Sequence, residues 1–307
     1  MKPILIGSRA SELALRQTSW VKEQLQQVTE RPVEIQTFLT KGDRILNVTL
    51  SKVGGKGLFV KEIEEAILRG EVDFAVHSLK DMPAELPKGL VIGAVSRRED
   101  PRDCWIAKEG IPFSELPPGA KVGTSSLRRM AQIKRLRPDV QVVPLRGNLG
   151  TRLRKMMESD LDGILLAAAG LHRLGWQDKI TEYLPPEQFI PAVGQGALGM
   201  ECRLEDESVL SLLATVHDPD TFLCVQAERS FLHRLEGSCQ VPIGAYARLD
   251  GGRICLTGFV ASPEGERFLR ASREGMEPDA LGRALAEELL AAGAAEILQR
   301  VREEGGR

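Results

Sequence analysis

An α/β fold in two or three domains is what this sequence predicts, and three observations support it. The chain has 307 residues, enough for each of two or three domains to bury a core. Over the first ninety residues, short apolar runs alternate with amphipathic helical patterns, as in domains with a largely parallel sheet. The longest apolar run, Gly163 to Leu171, is about half as long as a bilayer-spanning helix, so no membrane segment is expected.

The first region shows strand and helix patterns in alternation. Runs of apolar and β-branched residues predict strands at Ile4 to Gly7, Val33 to Leu39 and Phe74 to His77. Apolar residues three and four apart predict helices at Ser11 to Gln27 and Phe59 to Arg69.

The polar segment Lys41 to Leu58 contains four glycines and no helical or strand periodicity. Glycine restrains the backbone less than any other residue, and clustered glycines interrupt regular structure. We expect a mobile loop here.

A second α/β region follows a charged link from Ser96 to Arg102. Its strands are expected at Lys121 to Gly123, Val140 to Pro144 and Gly163 to Ala167. The apolar, glycine-rich stretch Ile190 to Met200 predicts a buried passage back to the first domain.

A third unit begins near Phe222 with a helical pattern. Alternating runs at Ile243 to Leu249 and Arg253 to Ala261 predict two strands, and the alanine-rich stretch Asp279 to Val301 predicts the last helix.

Positive charge is concentrated in one part of the chain. Between Lys121 and Lys155, ten basic residues stand against a single acid, Asp139, although the whole chain has a net charge of −2. Such segregation indicates an anionic ligand. No Phe, Tyr or Trp occurs from Ser114 to Gly175, and single-stranded nucleic-acid sites usually stack bases on such rings. The segment therefore favours a ligand with carboxylate or phosphate groups.

Three segments share one local pattern, in which a strand runs into a Gly, Ser or Thr turn and then into a helix whose first residues include arginine. They are GSRAS from Gly7, GTSSLRR from Gly123 and RGNLGTR from Arg146. A helix N-terminus attracts anions and disfavours a guanidinium by up to about 1 kcal/mol. Ordinary helix caps beside solvated arginines remain the alternative for any one turn, but three together favour an anion site.

Asp81 is the candidate catalytic carboxylate. It follows an apolar strand in the motif HSLKDMP, where open α/β sheets bind their ligands. Next to Lys80 in a cationic setting, it can remain ionised and stabilise a substrate cation. The alternative is an ordinary aspartate in a turn before Pro83.

The remaining polar motifs predict little chemistry by themselves. The five cysteines form no CxxC pair and the four histidines show no ligand spacing, so neither a disulfide framework nor a metal site is expected. The segment Gly194 to Gly199 matches GxGxxG, but no strand leads into it, which argues against a dinucleotide. Cys239 lies in the loop motif GSCQVP. Its thiol is either more accessible than that of a core cysteine or an ordinary loop thiol without a function. The N-terminus lacks leader features, so a cytoplasmic location is expected.

Together, these segments closely resemble the porphobilinogen deaminase family of tetrapyrrole biosynthesis. The resemblance runs from the N-terminus through about Ala247, and the last sixty residues fit the family's third domain. It is carried by seven motifs in family order and spacing: GSRASELALRQ, KVGGKGLFVKEIE, DFAVHSLKDMP, GTSSLRR, LRGNLGTRL, AVGQGALGMECR and LEGSCQVPIGAYA.

The resemblance implies an α/β fold of three domains. The first two would resemble the lobes of a type II periplasmic-binding protein, with mainly parallel mixed sheets and the active site in the cleft between them. The third would be a smaller α+β domain. Domain 1 is placed at residues 1–98 plus 194–217, domain 2 at 99–193 and domain 3 at 218–307.

The resemblance also implies a role for each matching residue. Cys239 would carry a dipyrromethane cofactor through a thioether, and Asp81 would be the catalytic carboxylate. Cofactor carboxylates would be bound by Lys80, Thr124, Ser126, Arg128, Arg129 and Arg146. Substrate carboxylates would be bound by Arg9, Ser11, Arg146, Arg152 and Arg173. Lys52, Lys56 and Phe59 would belong to a mobile loop.

The implied activity is that of a transferase. It would condense four porphobilinogen molecules head to tail onto the cofactor, release ammonia and hydrolyse off linear hydroxymethylbilane. The implied state is a monomer that binds neither nucleic acid nor membrane. Two rival hypotheses rest on fewer residues: a non-catalytic anion-binding module of two lobes, and a nucleic-acid binder supported by the basic segment alone.

Overall fold

The structure is a computed structural model that describes residues 2–40, 60–237 and 241–305. These residues form two compact units. Unit 1 contains residues 2–40, 60–99 and 196–223, and unit 2 contains residues 100–195, 224–237 and 241–305. The chain therefore leaves unit 1 after residue 99, returns at residue 196 and leaves again after residue 223.

Within the described residues there are thirteen strands and nine α-helices. The strands are β1 Ile4–Arg9, β2 Val33–Phe38, β3 Phe74–Ser78, β4 Leu90–Val95, β5 Asp103–Ala107, β6 Lys121–Gly123, β7 Gln141–Val143, β8 Gly163–Ala167, β9 Glu182–Leu184, β10 Leu198–Arg203, β11 Ile243–Asp250, β12 Arg253–Ala261 and β13 Phe268–Gly275. The helices are α1 Glu12–Gln26, α2 Lys61–Leu68, α3 Leu127–Leu136, α4 Leu149–Glu158, α5 Ala168–Arg173, α6 Glu207–Leu213, α7 Pro219–Arg234, α8 Pro278–Leu289 and α9 Ala295–Gly305.

Two five-stranded mixed sheets share one plan. The sheet of unit 1 has the order β2-β1-β3-β10-β4, and the first sheet of unit 2 has the order β7-β6-β8-β5-β9. In each, the first three strands are parallel and the fourth is antiparallel to both of its neighbours. The antiparallel strands, β10 and β5, are the first strands that the chain forms after it passes from one unit to the other.

Helices cover both faces of each of these sheets. In unit 1, Val21 and Leu25 of α1 pack with Phe74 on one face, while Ile63 and Ile67 of α2 pack on the other. In unit 2, α3 and α4 occupy the corresponding positions. Burial on both faces explains why inner strands such as β3 and β8 are apolar runs rather than alternating patterns.

The third sheet, also in unit 2, is antiparallel with the order β11-β12-β13. It packs against α3 through a cluster that includes Ala131, Ile190, Phe259 and Ala261. The described helices contain none with the length and apolar character that a membrane span requires.

Most of the predicted elements are confirmed. The strands at Lys121–Gly123, Gly163–Ala167 and Arg253–Ala261 have the predicted bounds, and the other predicted strands differ by one or two residues at an end. Residues 190–200 are almost entirely buried, as the apolar pattern predicted. Their last three residues begin β10 in the sheet of unit 1, a strand that the sequence analysis did not predict. The mixed α/β architecture is also confirmed, whereas the division into three domains stays a prediction.

The sequence analysis missed five strands, β4, β5, β9, β10 and β13, and predicted one long helix where two occur. The break lies between α8 and α9, where Gly293 has φ of +103°, a conformation that ends a helix. Strands β9 and β13 lie at sheet edges, and β13 is mostly solvent-exposed, so its sequence carries a weak apolar pattern. The predicted loop Lys41 to Leu58 lies outside the described residues.

Candidate active site

Asp81 lies on a single tight turn that follows β3. The turn spans Leu79–Asp81, and it is closed by a hydrogen bond from Met82 N to Leu79 O at 3.2 Å. Leu79 N also donates to Ala197 O at 3.0 Å. Leu79 and Met82 are buried, Lys80 is half-buried and Asp81 is exposed. Two apolar anchors thus hold a turn that presents Asp81 to solvent.

Gly199 on β10 provides the space for these anchors. A Cβ atom at this position would lie 2.8 Å from both Leu79 Cδ1 and Met82 Sδ. Such a distance is a clash, so a larger residue would have to displace the turn. Gly196, the preceding glycine of the GxGxxG match, has φ of +96° and lies against Glu99 O. These two glycines therefore serve chain packing.

Polar side chains anchor the end of β3 on both faces of the sheet. On the α1 face, Gln17 Nε2 donates to Ser78 Oγ at 2.9 Å. On the α2 face, His77 Nε2 lies 3.1 Å from Glu201 Oε2 on β10, and both side chains are buried. The two residues that precede the Asp81 turn thus each have a hydrogen-bonding partner from another element.

Glu64 of α2 belongs to the same buried polar group. Burial, followed by the charge of Glu201, raises the pKa of the Glu64 carboxyl from about 4.5 to about 7. Within the described residues, Glu64 Oε1 and Glu201 Oε1 are buried without a hydrogen-bond partner. Two carboxyls and one imidazole are therefore buried together. Glu64 keeps its proton at pH values at which a glutamic acid in water is ionised.

The three predicted cap turns are confirmed as helix starts. Ser11 Oγ accepts from Ala14 N at 3.4 Å, Ser126 Oγ from Arg129 N at 3.4 Å and Asn148 Oδ1 from Thr151 N at 2.8 Å. These are the N-caps of α1, α3 and α4. Two of the predicted ligand residues, Ser11 and Ser126, thus use their hydroxyls as caps in the structure.

Arg128 and Arg129 in α3 are buried around one carboxylate, Asp103. Arg129 Nε and Nη2 lie 3.0 and 2.8 Å from Asp103 Oδ1, and Arg129 Nη1 donates to Leu165 O at 2.8 Å. Arg128 Nη1 lies 2.7 Å from Asp103 Oδ2 and also donates to Ile190 O at 2.7 Å. Each arginine is only 5% exposed and Asp103 is fully buried.

This arrangement leaves one positive charge in excess, because two guanidinium groups share one carboxylate. Burial lowers the pKa of Arg128, although the charge of Asp103 opposes this shift. Burial alone would raise the pKa of Asp103, but the charges of Arg128 and Arg129 hold it well below its usual range. Gln195 Nε2 donates to Asp103 Oδ1 at 3.2 Å and adds no charge. An additional anion is the simplest way to complete the balance.

Arg146 shows a second sign of an incomplete site in unit 2. Its Nη1 is buried, and within the described residues it has no hydrogen-bond partner. A buried guanidinium nitrogen without an acceptor is costly, so this position favours a ligand carboxylate. The nearby Arg152 Nε donates to Gly147 O at 2.8 Å, which orders the same turn.

The other predicted site residues are placed as follows. Thr124 is buried and its Oγ1 accepts from Ser126 N at 3.2 Å. Arg9 ends β1 and Arg173 ends α5, both half-buried. Cys239, Lys52, Lys56 and Phe59 lie outside the described residues. Within the described ranges, no group of three His, Cys, Asp or Glu side chains could hold a metal ion.

Asp103, Glu201 and Gln195 were not identified from the sequence. Two of them left a signal: Glu201 is the one acid inside the apolar stretch Leu198 to Cys202, and Asp103 stands directly before the apolar run of β5. A charged residue in or beside a buried strand needs a partner, which is a reason to examine it. Gln195 offers no comparable signal.

Comparison with known families agrees with these observations. The model described as porphobilinogen deaminase, dipyromethane cofactor binding domain, matches residues 4–211, and the model for the porphobilinogen deaminase C-terminal domain matches residues 222–291. This chain belongs to the porphobilinogen deaminase family. The sequence resemblance is thereby confirmed.

Individual relatives are similar over almost their whole length. The porphobilinogen deaminase of Brevibacillus brevis is 56% identical over 298 residues, covering 96% of each chain. That of Geobacillus kaustophilus is 52% identical and covers 100% of each chain. Among solved structures, a TRAP periplasmic solute binding protein from Desulfovibrio salexigens matches 70% of this chain and 71% of its own, with 13% identity and a TM-score of 0.42.

The Asp103 cluster generates a prediction about stability. Asp103→Asn leaves two buried guanidinium groups without a carboxylate, so the free energy of unfolding should fall by about 3–5 kcal/mol. Urea denaturation would measure it. The control is Asp160→Asn, which removes an exposed partner of Lys121 and should cost under about 0.5 kcal/mol. Equal losses in the two variants would contradict the analysis.

The raised pKa of Glu64 generates a prediction about pH. Between pH 4.5 and 7 the folded protein keeps a proton that the unfolded chain loses, so the free energy of unfolding decreases as pH rises through this window. Glu64→Gln cannot lose a proton. It should be more stable than the parent at pH 8, by on the order of 1–3 kcal/mol, and nearly equal at pH 4.5.

Denaturation at both pH values would check this prediction, with Glu65→Gln as the control. Glu65 is the exposed neighbour on α2, so its variant should differ from the parent by a similar small amount at pH 4.5 and 8. A Glu64→Gln variant that is less stable than the parent at pH 8 would show that Glu64 is ionised at little cost.

Proposed function

We propose that this chain is a hydroxymethylbilane synthase, which condenses four porphobilinogen molecules head to tail, releases ammonia and hydrolyses off linear hydroxymethylbilane. Membership in the porphobilinogen deaminase family supports the reaction. The observation that supports it most directly is the excess positive charge of unit 2, where Arg128 and Arg129 share one carboxylate and Arg146 has a buried, unpartnered nitrogen. Porphobilinogen carries an acetate and a propionate, which are the anions such a region requires.

The same residues fit a dipyrromethane cofactor, whose two pyrroles carry four carboxylates. Cys239 would bind it covalently, and its carboxylates would be bound by Lys80, Thr124, Ser126, Arg128, Arg129 and Arg146. When bound, this group supplies the primer pyrrole to which new units are added. The arginines would form paired N–H to oxygen contacts, which are stronger and more directional than those of lysine.

The contacts of Arg128 and Arg129 indicate different parts in this binding. Every nitrogen of Arg129 already contacts Asp103 or Leu165 O. Among the described residues only Nη1 of Arg128 is engaged, which leaves Nε and Nη2 for a ligand. We assign Arg128 as the more direct cofactor contact and Arg129 as the group that fixes the internal carboxylate.

Substrate carboxylates would be bound by Arg9, Ser11, Arg146, Arg152 and Arg173. Arg9, Ser11, Arg146 and Arg152 lie at or near the N-terminus of α1 or α4, where backbone N–H groups favour a bound anion. Arg173, the last residue of α5, would contribute through its guanidinium group alone. Lys52, Lys56 and Phe59, which lie outside the described residues, would contribute as loop residues.

Asp81 would act on the cation that forms when ammonia leaves porphobilinogen. A carboxylate on a rigid turn is oriented before the reaction, so it stabilises developing positive charge without reorganisation. The same carboxylate can accept a pyrrole N–H and assist proton transfer. The half-buried Lys80 next to it adds a positive charge to the same turn.

We further propose that the protein acts as a cytoplasmic monomer that binds neither membrane nor nucleic acid. The basic segment supports the last point, because much of its charge is engaged internally. Arg137 contacts Asp139 and the carbonyls of Phe113 and Leu116, and Lys134 Nζ donates to Val140 O. Polyanion binding depends on exposed cations that release counterions.

Replacing Asp81 tests the catalytic assignment. Asp81→Asn keeps the size of the side chain but cannot stabilise a cation, so ammonia release should fall by at least about 100-fold. Asp81→Glu should keep part of the activity because it keeps the charge. The side chain is exposed, so the melting temperature should change little. Near-normal ammonia release by the Asn variant would refute the role.

Intact-protein mass tests the cofactor. Active enzyme should carry a mass excess of two pyrrole units, which disappears in Cys239→Ala together with activity. Cys255→Ala is the matched control, because Cys255 is a partly exposed free thiol in the same region of the chain. It should keep both the excess mass and the activity. An unmodified mass in active enzyme would overturn the cofactor. An unmodified mass in a protein without activity would favour the rival anion-binding module, which has no use for Cys239.

A further inference from the structure

We propose that His77 and Glu201 are a positioning pair for Asp81, which hold the end of β3 in one register on β10 and thereby fix the turn that carries the carboxylate. The inference rests on the proposed role of Asp81. Neither His77 nor Glu201 is among the residues proposed to bind the carboxylates of cofactor or substrate.

The end of β3 is held by fewer backbone contacts than its beginning. Phe74 and Ala75 pair with β1 on one side and with β10 on the other. The next three residues, Val76 to Ser78, pair only with β10. One strand therefore positions the last part of β3, immediately before the turn that begins at Leu79.

The His77–Glu201 pair crosses this ladder diagonally. His77 is opposite Gly199 in the register, and Glu201 is opposite Ala75, so the two side chains are diagonal neighbours on the α2 face. Their side chains are 2% and 0% exposed, and their nearest nitrogen and oxygen atoms are 3.1 Å apart. A slip of one residue would turn His77 to the α1 face and leave Glu201 buried without its partner. The pair thus penalises a slip of one residue in either direction.

The register of β3 on β10 also sets the position of the turn that carries Asp81. Leu79 lies on the same face as His77, it donates its N–H to Ala197 O and its side chain contacts the space above Gly199. Ala197 and Gly199 precede Glu201 on the same stretch of chain. A carboxylate displaced by about 1 Å from a reacting centre typically loses on the order of 100-fold in rate, so a small shift at β3 would be visible in turnover.

The group next to this pair is Glu64, which faces it from α2, with Glu65 and Lys61 as the further charges that act on Glu64. These residues are on the helix rather than on either strand, so they do not set the register of β3.

The decisive variant is His77→Leu combined with Glu201→Met. Replacing both members of a buried polar pair by apolar groups of similar size costs little stability, whereas replacing only one leaves a buried group unpaired. His77→Leu alone should therefore lower the melting temperature, and the double variant should recover it. The double variant should load cofactor normally by mass, yet its kcat should remain roughly 10- to 100-fold below wild type with KM within about twofold.

Two further measurements separate positioning from general stability. Hydrogen exchange of the Leu79 and Met82 amides should be faster in the double variant, because the turn samples more than one position. His77→Gln, which keeps a donor toward Glu201, should regain part of the lost kcat. The matched control is His217→Leu, which removes a histidine that accepts from Val95 N on β4, and it should lower the melting temperature while kcat stays near wild type.

A double variant with wild-type kcat and unchanged exchange at Leu79 and Met82 would overturn the positioning role and leave the proposed function intact. A fall in kcat of equal size in His217→Leu would also overturn it, since any loss of stability would then suffice. Wild-type protein that releases no ammonia from porphobilinogen would overturn the proposed function and, with it, this inference.

Discussion

Asp103 places one buried negative charge between two buried arginines, and the arrangement of unit 2 depends on that contact. The carboxylate begins β5, the two guanidinium groups come from the first turn of α3, and their remaining donors reach carbonyls of Leu165 on β8 and of Ile190. Two strands, one helix and the passage back to unit 1 are thereby joined by charged contacts. Removing the carboxylate would leave charges that the interior cannot solvate.

The same constraint accounts for the chemistry that unit 2 supports. An interior that holds two cations and one anion is not balanced by its own residues, and Arg146 adds a buried nitrogen without an acceptor. Charged groups of this kind are stable only when a counter-ion completes them. The proposed carboxylate-rich cofactor and substrate would provide it, so the stability of the region and the binding of ligand would be linked.

Unit 1 shows the opposite balance, because acids outnumber bases in its buried polar group. Glu64 and Glu201 share their surroundings with a single imidazole, that of His77. Burial and the charge of Glu201 raise the pKa of Glu64, so that a bound proton, and not a ligand, neutralises this carboxyl. This polar group lies on the face of the sheet where Leu79 and Gly199 shape the Asp81 turn. Buried polar pairs restrict the ways in which strands can align, which is what a catalytic turn requires.

By itself, the sequence determined the fold class, most strands and helices, the three cap turns and the family, because each of these depends on local periodicity, local capping or long continuous motifs. Asp81 and the arginines of α3 were identified for the same reason, since they lie in such motifs. Only the tertiary structure brought Asp103 to Arg128 and Arg129, and Glu201 to His77, because each contact joins residues that are 25 to 124 positions apart. Local pattern carries no information about which distant side chains will share a buried space. The same limit explains why arginines at the start of a helix suggested an external anion alone. The internal carboxylate of Asp103, which compensates one of their two positive charges, comes from a distant strand.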